Sequence, residues 1–460
     1  MTVTAPRYMS RFRCLAESCE DTCCAGLTVT IGEARWKALR EAVAGGPDAE
    51  RVEAFVRPEE DGGPGVDAAV IAKREDGHCV FLDTSRLCSL QRKYGEPVLP
   101  DACSTFPRAV TRWGERLEVA GTLACPEVAR LCLLAEDGVE LVPVSEDVAV
   151  RPEAALRIGG DAEEAWRRHA EAVRAAALGL LQRRELPFAS RLFALGQLAL
   201  RLDGFDFRGT EALRGETPSG AEALPPTSRT EATNGETRSE ALRPAPGAEA
   251  SHGEAPARAE ALLHEVLRSF TAPDTLAGLH ESFSSLSLPG GPWAGICATV
   301  LKARMGAVRS ERFTTLVRSV LASYGGADSP DEAWRIHAER RERLGPVLTE
   351  RVEQYFRHHA VNHCLRHPFT DASRLLDFVF RLTLRAAVLR WTLFGHPEVV
   401  ALCEGGAGDT ARLDAAAVEC FQLIAKHVEQ APELLSLAQG LAGSGGAETL
   451  GRMLVLLKGL

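Results

Sequence analysis

The sequence lacks a long uninterrupted run of apolar residues. A membrane-spanning helix needs about 18 of them or more. The nearest approach, Leu382 to Cys403, is interrupted by Arg385, Arg390 and His396. The first residues, MTVTAPRYMSRFRC, also lack the apolar stretch of a signal peptide. We therefore expect a cytoplasmic protein that does not enter a membrane.

The sequence is also short of positive charge. It has 53 Lys and Arg residues against 63 Asp and Glu, which gives a formal net charge of -10. Proteins with a general affinity for nucleic acid or anionic lipid usually carry a basic surface. This balance argues against both classes of partner and favours a basic or neutral one.

The length and composition are those of a folded globular protein. The chain has 460 residues, of which 45% are apolar and 25% charged, close to the averages of about 45–50% and 25% for soluble domains. A chain of this length has room for two or three domains of roughly 100 to 200 residues each. A single small metal-stabilised domain cannot account for it.

Four zones can be distinguished along the chain. Residues 1–135 hold most of the cysteines and short strand patterns, including a hairpin predicted over Arg108 to Ala120. Residues 136–207 and 258–460 carry amphipathic helical patterns, which we expect from Pro152 onward. Residues 208–257 are low-complexity sequence with too few large apolar residues to fold.

These zones predict the fold class. We expect a mainly α protein with a small cysteine-rich metal-binding N-terminal region that contains short β-hairpins, followed by an all-α helical domain. The low-complexity segment, read as a disordered insert, interrupts the helical domain.

Cysteine is the informative residue type. There are 13 cysteines, and nine of them lie between residues 14 and 132. In a reducing compartment such a cluster is more often a metal or catalytic site than a disulfide framework. The other four lie in apolar or helical sequence, where we expect buried free thiols without a role: Cys297, Cys364, Cys403 and Cys420.

The first cysteines are closely spaced. Cys14, Cys19, Cys23 and Cys24 follow the pattern Cys-x4-Cys-x3-Cys-Cys. Adjacent cysteines do not easily form a disulfide with each other, so the doublet suits metal ligation from a loop. Zinc takes four N or S ligands, and a cubane iron-sulfur cluster takes up to four thiolates.

Further cysteines extend the set of candidate ligands to Cys79, Cys88, Cys103 and Cys125. Cys132 lies in the apolar run VARLCLLA and is predicted to pack in a helix instead. The eight remaining cysteines supply two structural sites, or one site with spare thiols. An iron-sulfur cluster, structural zinc, and a disulfide-linked or merely buried set all remain open at this point.

These blocks of residues carry a resemblance to a known family. Its parts are the run Tyr8-x3-Phe12-x-Cys14-x4-Cys19-Glu-Asp-Thr-Cys23-Cys24-x-Gly26, the segments CVFL at 79–82 and LCSLQ at 87–91, the segment LPxxCxxFPR at 99–108, and CPE at 125–127. Together they resemble the flagellin lysine-N-methylase family. The same cysteine layout is similar to that of the broader group of zinc- or iron-chelating proteins.

The resemblance implies an activity, cofactors and a partner. It implies transfer of a methyl group from S-adenosylmethionine to the ε-amine of lysines on a protein substrate, flagellin in the family, with a 4Fe-4S iron-sulfur cluster held by the cysteines. The competing interpretation is a non-catalytic zinc- or iron-chelating protein with a structural or interaction role.

Two familiar cofactor patterns are absent from the sequence. A conventional methyltransferase would need a glycine-rich loop between a strand and a helix, and no glycine cluster here has that context. Radical S-adenosylmethionine enzymes usually show Cys-x3-Cys-x2-Cys, whereas Cys19-x3-Cys23 is followed at once by Cys24. The sequence therefore does not indicate a radical mechanism.

Five residues are candidates for the chemistry of methyl transfer. A lysine amine must be neutral to attack a methyl sulfonium, so a carboxylate or histidine should lie near it. Glu20, Asp21, Glu127 and His427 are candidates, and Arg108 could orient a carboxylate of the cofactor. Each also has a structural alternative: the acids can hydrogen-bond local amides, and His427 can be an ordinary core histidine.

Overall fold

The computed structural model describes residues 2–26, 29–58, 69–158, 169–204, 254–369, 372–405, 408–429 and 431–460. Within these ranges the protein is mainly helical, with strands confined to an N-terminal part, so the predicted fold class is confirmed. Residues 208–253 of the predicted disordered insert lie outside the described residues. Its last four residues, 254–257, belong to a helix that begins at Glu254, so the predicted boundary is wrong there.

The N-terminal part contains two small sheets. Its strands are β1 (Thr2–Pro6), β2 (Val29–Ile31), β3 (Val56–Pro58), β4 (Ala69–Ile71), β5 (Arg108–Trp113), β6 (Arg116–Gly121), β7 (Leu141–Val144) and β8 (Leu156–Ile158). The larger sheet has the order β7-β1-β6-β5-β8, with β1 parallel to β6 and β5 parallel to β8. The smaller sheet has the order β2-β4-β3 and is antiparallel.

The predicted hairpin is the centre of the larger sheet. β5 and β6 pair from Arg108 opposite Gly121 to Trp113 opposite Arg116. Gly114 in the turn has φ +56°, a conformation that glycine adopts without steric cost. The alternating sequence and the glycine therefore locate this hairpin correctly.

The strand region extends further along the chain than the helical pattern suggests. β7 and β8 both lie within 136–207, so the expectation of helix directly from Pro152 is wrong for residues 156–158. Both strands are at sheet edges, and β7 contains Pro143, which an edge strand tolerates because one side of it needs no backbone donor.

Short helices surround the two sheets. They are α1 (Arg7–Arg11), α2 (Glu33–Val43), α3 (Ala49–Phe55), α4 (Ser89–Tyr94), α5 (Asp101–Thr105) and α6 (Pro126–Leu134). The smaller sheet buries Val29, Ile31 and Ile71 against α2 and forms a hydrophobic core of its own. The larger sheet contributes to the main core, which continues into the C-terminal helices.

Longer helices form the rest of the described chain. They are α7 (Ala170–Leu181), α8 (Phe188–Asp203), α9 (Glu254–Ser269), α10 (Pro273–Ser284), α11 (Gly291–Ala307), α12 (Glu311–Ser323), α13 (Pro330–Arg343), α14 (Pro346–Arg366), α15 (Leu375–Gly395), α16 (Pro397–Cys403), α17 (Thr410–His427), α18 (Pro432–Ala442) and α19 (Gly446–Leu457). α15 is buried on nearly every side and packs against α8 and α19, as expected for a helix that is apolar around its whole circumference.

Two buried polar contacts connect the sheet region to the helices. Arg174 on α7 pairs with Glu118 on β6, with Nη2 2.8 Å from Oε2 and both side chains almost fully buried. Tyr8 on α1 places its hydroxyl 2.5 Å from Oδ1 of Asn362 on α14. The N-terminal region is thus fixed against the helical part through its core and through these bonds.

In the described ranges, no helix combines the length and apolar character that crossing a bilayer requires.

Candidate metal centre and adjoining cleft

One group of thiols lies where the N-terminal loop meets α6. Cys14 and Cys19 flank a short 3-10 turn, and Cys125 precedes the first residue of α6. Burial, together with the negative charge of the neighbouring Cys19 and Cys14 thiols, raises the pKa of Cys125 to about 12. Cys14 and Cys125 are 111 positions apart in the sequence. We call Cys14, Cys19 and Cys125 the three-thiol group.

A second group of five thiols lies beside the smaller sheet. It comprises Cys23, Cys24, Cys79, Cys88 and Cys103, and the amide of Cys79 donates to the carbonyl of Cys24 at 2.7 Å. Burial is the main cause that raises the pKa of Cys103 to about 12, and the negative charges of the Cys88, Cys79 and Cys23 thiols act in the same direction. A hydrogen bond with Cys24 lowers the pKa of Cys23 to about 7 and raises that of Cys24. We call this set the five-thiol group.

The two groups do not follow the order of the eight predicted ligands along the chain, because Cys125 joins Cys14 and Cys19 while Cys23 and Cys24 belong to the other group. All eight are free thiols. Across the described ranges, however, no three Cys, His, Asp or Glu side chains are close enough together to hold a metal ion. The assignment of metal ligands therefore stays a prediction, and the thiols lie as neighbours without a closed coordination shell.

The remaining cysteines are buried in the core. Cys132 lies within α6 and is fully buried, as expected from its apolar run. Cys297, Cys364 and Cys420 are also fully buried, and burial raises the pKa of each. A fully buried thiol of this kind packs as a small apolar side chain.

Arg108 lies beside the three-thiol group. Burial lowers the pKa of Arg108, and the charges of the nearby Cys14 and Cys125 thiols partly oppose this. The guanidinium carbon is 5.4 Å from the centre of the Phe12 ring. The cation is therefore placed to offset negative charge on these thiolates. Phe12 and Tyr8 are buried core residues.

Arg130 holds two of the candidate acids together. Its Nη2 is 2.5 Å from Oε1 of Glu20, and its Nη1 pairs with Glu127. Glu20 directly follows Cys19, and Glu127 comes two residues after Cys125. Both carboxylates are thus next to the three-thiol group, where two negative charges face the single positive charge of Arg130.

Asp21 points away from that pair and is bound by α17. Its Oδ1 lies 2.8 Å from Nζ of Lys426, and its Oδ2 accepts from Nε2 of Gln422 at 2.8 Å. Burial opposes ionisation, but the Lys426 charge and these hydrogen bonds hold the pKa of Asp21 below its usual value. Asp21 therefore stays ionised and joins the N-terminal loop to the helices.

His427 lies at the end of α17 against the same loop. A Cβ at Gly26 would be 3.3 Å from Cε1 of His427, and the imidazole ring is 5.1 Å from the Phe313 ring. Burial lowers the pKa of His427 to about 4, so the ring is neutral near pH 7. Its Nε2 has no hydrogen-bond partner among the described residues, which distinguishes it from a satisfied core histidine.

A cleft of about 780 Å³ separates the N-terminal region from the helices. Glu20, Asp21, Gly26 and His427 line it. The remaining polar lining residues come from the N-terminal loop, from the 73–86 segment, from the end of α11 through the start of α12, and from α17: Thr22, Lys73, Arg74, Asp76, His78, Arg86, Arg304, Arg309, Ser310, Glu311, Arg312 and Lys426.

The cleft also borders the five-thiol group. Lys426 acts electrostatically on Cys23, and Lys73 acts on Cys103. Sequence reasoning identified neither lysine, because they are separated by about 350 positions and belong to no motif. Only Ser310 carries a local signal, since its hydroxyl accepts from the Phe313 amide and caps α12.

Part of the chain is similar to curated proteins from Salmonella. It is 28% identical over 153 residues to the lysine-N-methylases of Salmonella typhimurium and Salmonella choleraesuis, a match that covers 31% of this chain and 35% of each relative. The same identity relates it to the flagellar biosynthetic protein FliU of Salmonella muenchen, over 31% of this chain and 82% of that protein.

The match thus spans about a third of the length of the two curated lysine-N-methylases. No family model matches the chain, and no solved structure matches it.

Proposed function

Since the chain is related to the flagellin lysine-N-methylase family, we propose that it is a protein lysine N-methyltransferase that uses S-adenosylmethionine. The observation that carries this proposal is the sequence match to relatives named lysine-N-methylase. We further propose that it acts in the cytoplasm on a protein substrate with exposed lysines, flagellin being the first candidate because of the relatives' names.

The cysteines fit a metal cofactor by their donor chemistry. Soft thiolates select zinc or iron-sulfur clusters, and both thiol groups are free thiols on loops and helix ends. Because three of them do not yet surround one point, we propose that the loops close on the metal as it binds, as is usual for sites that form with their metal.

We assign the iron-sulfur cluster to the three-thiol group, Cys14, Cys19 and Cys125. When bound, a 4Fe-4S cluster with three protein thiolates has one iron free to hold the amino and carboxylate groups of S-adenosylmethionine. Arg108 offsets part of the negative charge of the thiolates from its position beside Cys14 and Cys125. The five-thiol group is assigned a second metal, iron-sulfur or zinc.

Glu20 and Glu127 receive the substrate lysine in this proposal. Their two charges exceed the one on Arg130, so the surface next to the three-thiol group attracts a lysine ammonium. Once the ammonium has given a proton to solvent water, the nitrogen lone pair attacks the methyl carbon. The carbon–sulfur bond breaks, and its electron pair leaves with S-adenosylhomocysteine. Of the other two candidates, Asp21 is paired with Lys426 and His427 is neutral near pH 7, and neither is assigned to this step.

A second function is favoured by the position of the five-thiol group. Cys79 is part of the small core under the three-stranded sheet, and Cys24 and Cys88 pack against that core. A metal bound there would stabilise a region with little apolar interior of its own. The alternative is therefore a non-catalytic zinc- or iron-chelating protein with a structural or interaction role.

Metal analysis separates the two functions. The full chain is purified without air, and its iron, acid-labile sulfide and zinc are measured, together with binding of S-adenosylmethionine. The methyltransferase proposal expects iron and sulfide in equal amounts and a bound cofactor. Stoichiometric zinc without iron, and no cofactor binding, would favour the chelating protein.

A further inference from the structure

The cleft beside the five-thiol group has a charge opposite to that of the whole chain. Seven of its lining residues are Lys or Arg and four are Asp or Glu, whereas the chain carries a formal charge of -10. Concave sites lined by one sign of charge concentrate ligands of the opposite sign. The cleft is therefore suited to an anion.

Three of the four acids of the cleft are already paired, and among the described residues Glu311 is the exception. Asp21 is held by Lys426 at 2.8 Å, and Glu20 is held by Arg130, which is not part of the lining. Asp76 lies 3.2 Å from Nδ1 of His78. These pairs leave the three acids little capacity to neutralise the other cations of the cleft, which outnumber Glu311.

Several cations of the cleft lack a close acidic partner. Within the described ranges, Lys73 and Arg86 take part in no ion pair, and the buried Nζ of Lys73 has no hydrogen-bond partner. The nearest acids to Arg312 are Glu419 at 3.5 Å and Asp21 at 3.9 Å. A buried charge without a partner is costly, and a bound anion would supply that partner.

Neutral donors of the cleft favour the same ligand. α12 begins in the lining with its Ser310 cap, and the N-terminus of a helix of this length carries partial positive charge. His427 is only 6% exposed, and its Nε2 is unpartnered in the described part of the chain. In the neutral tautomer that carries its proton on Nε2, this nitrogen donates a hydrogen bond to an anion in the cleft.

We propose that this cleft binds an anionic group, a carboxylate or a phosphate, through Lys73, Arg86, Arg312 and His427. Its volume of about 780 Å³ lies in the usual range of roughly 300 to 1,000 Å³ for small-molecule sites. The same chemistry belongs to a free anionic metabolite and to an acidic side chain of a protein substrate. The proposal does not depend on methyl transfer, because anion binding is measurable without turnover.

Calorimetric titration of the full chain at constant ionic strength tests the proposal. One arm uses inorganic phosphate, and the other uses a glutamate-containing peptide and the same peptide with glutamine. Binding in the first arm identifies a free anion as sufficient, whereas binding of the glutamate peptide alone identifies an acidic side chain of a protein. Either result supports the anion site.

Variants locate the binding. Arg312→Gln and Arg86→Gln should each weaken anion binding about tenfold or more, since each removes a charge-assisted hydrogen bond. Arg318→Gln is the matched control, because Arg318 is exposed on the same helix but does not line the cleft. Arg86 is exposed on a turn, so its removal tests the site without disturbing the core.

Two outcomes would overturn the anion site. One is that the wild-type chain binds neither phosphate nor the glutamate peptide. The other is that Arg312→Gln and Arg86→Gln, with thermal unfolding unchanged, bind as tightly as Arg318→Gln.

Discussion

Single cysteines differ sharply in their surroundings, although the sequence presents them as one cluster. The order along the chain groups Cys23 and Cys24 with Cys14 and Cys19. In the fold the doublet instead neighbours Cys79, Cys88 and Cys103. Spacing predicted which thiols are candidates, and it correctly set Cys132 aside, but partnership depends on how distant loops fold together.

Removal of one thiol of the doublet should release metal. Cys23→Ala and Cys24→Ala each take a ligand from the five-thiol group and should lower the bound metal per chain. Cys297→Ala should leave it unchanged, because that thiol is fully buried in α11. Metal content is measured by elemental analysis after anaerobic purification. Equal content in all three variants would refute this choice of ligands.

The acids next to the three-thiol group should govern substrate binding. Glu20→Gln and Glu127→Gln each remove a negative charge that attracts the lysine, so KM for the protein substrate should rise several-fold while S-adenosylmethionine binding is retained. Steady-state methylation kinetics measures both. Glu136→Gln is the control, since Glu136 is an exposed acid just after α6 that pairs with Arg184. An equal rise in the control would contradict the assigned role.

Helices and strands differ in how well local sequence predicts them. The β5–β6 hairpin is found because alternation and Gly114 act together, and the long helices are found from their apolar spacing. β7 and β8 are missed because each is short and lies at a sheet edge. Pairing with β1 and β5, rather than any local pattern, makes them strands.

The buried pair between β6 and α7 should contribute strongly to the packing of these elements. Arg174→Met leaves the Glu118 carboxylate buried without its partner, which should lower the free energy of unfolding by about 3–5 kcal/mol. Arg116→Gln removes an exposed pair with Glu171 between the same two elements and should cost less than about 1 kcal/mol. Urea unfolding compares the two, and similar losses would contradict the assigned importance of burial.

The whole molecule buries several histidines in neutral form. Burial lowers the pKa of His358 and of His427 to about 4, and it lowers the pKa values of His337, His363 and His367 well below the usual value. Their usual pKa in an unfolded chain is about 6.5. The unfolded state therefore binds more protons than the folded state between about pH 6.5 and 4.

Stability should consequently fall as the pH falls through this window. Each such histidine contributes at most about 2 kcal/mol between pH 7 and 5. Glu429 does not oppose this trend: burial raises its pKa, but His359 lowers it to about 2, so the carboxylate stays ionised. Urea unfolding at both pH values should show that His358→Gln loses less free energy of unfolding than wild type. His264→Gln, at an exposed histidine, should lose as much as wild type. An identical loss in all three chains would exclude buried histidine as the cause.

The cleft is a property of the whole molecule that the sequence does not predict. Its lining comes from the N-terminal loop, from the 73–86 segment and from three helices far along the chain. The motifs indicated Asp21 and His427 individually, yet only the tertiary fold brings them together with Lys73, Arg312 and Lys426. Composition is misleading here, because an acidic chain folds to give a cation-rich cleft.

The most direct measurement of the proposed function is transfer of labelled methyl groups. The anaerobically purified full chain is incubated with methyl-labelled S-adenosylmethionine and with flagellin or another lysine-rich protein, and modified residues are identified by mass spectrometry. We expect methyl groups on lysine ε-amines of the substrate, and none with a Cys125→Ala chain that remains folded. Absence of methylated lysine with a fully metal-loaded, cofactor-bound chain and flagellin would contradict methyl transfer to that substrate, and its absence with every lysine-rich protein tested would contradict the methyltransferase itself.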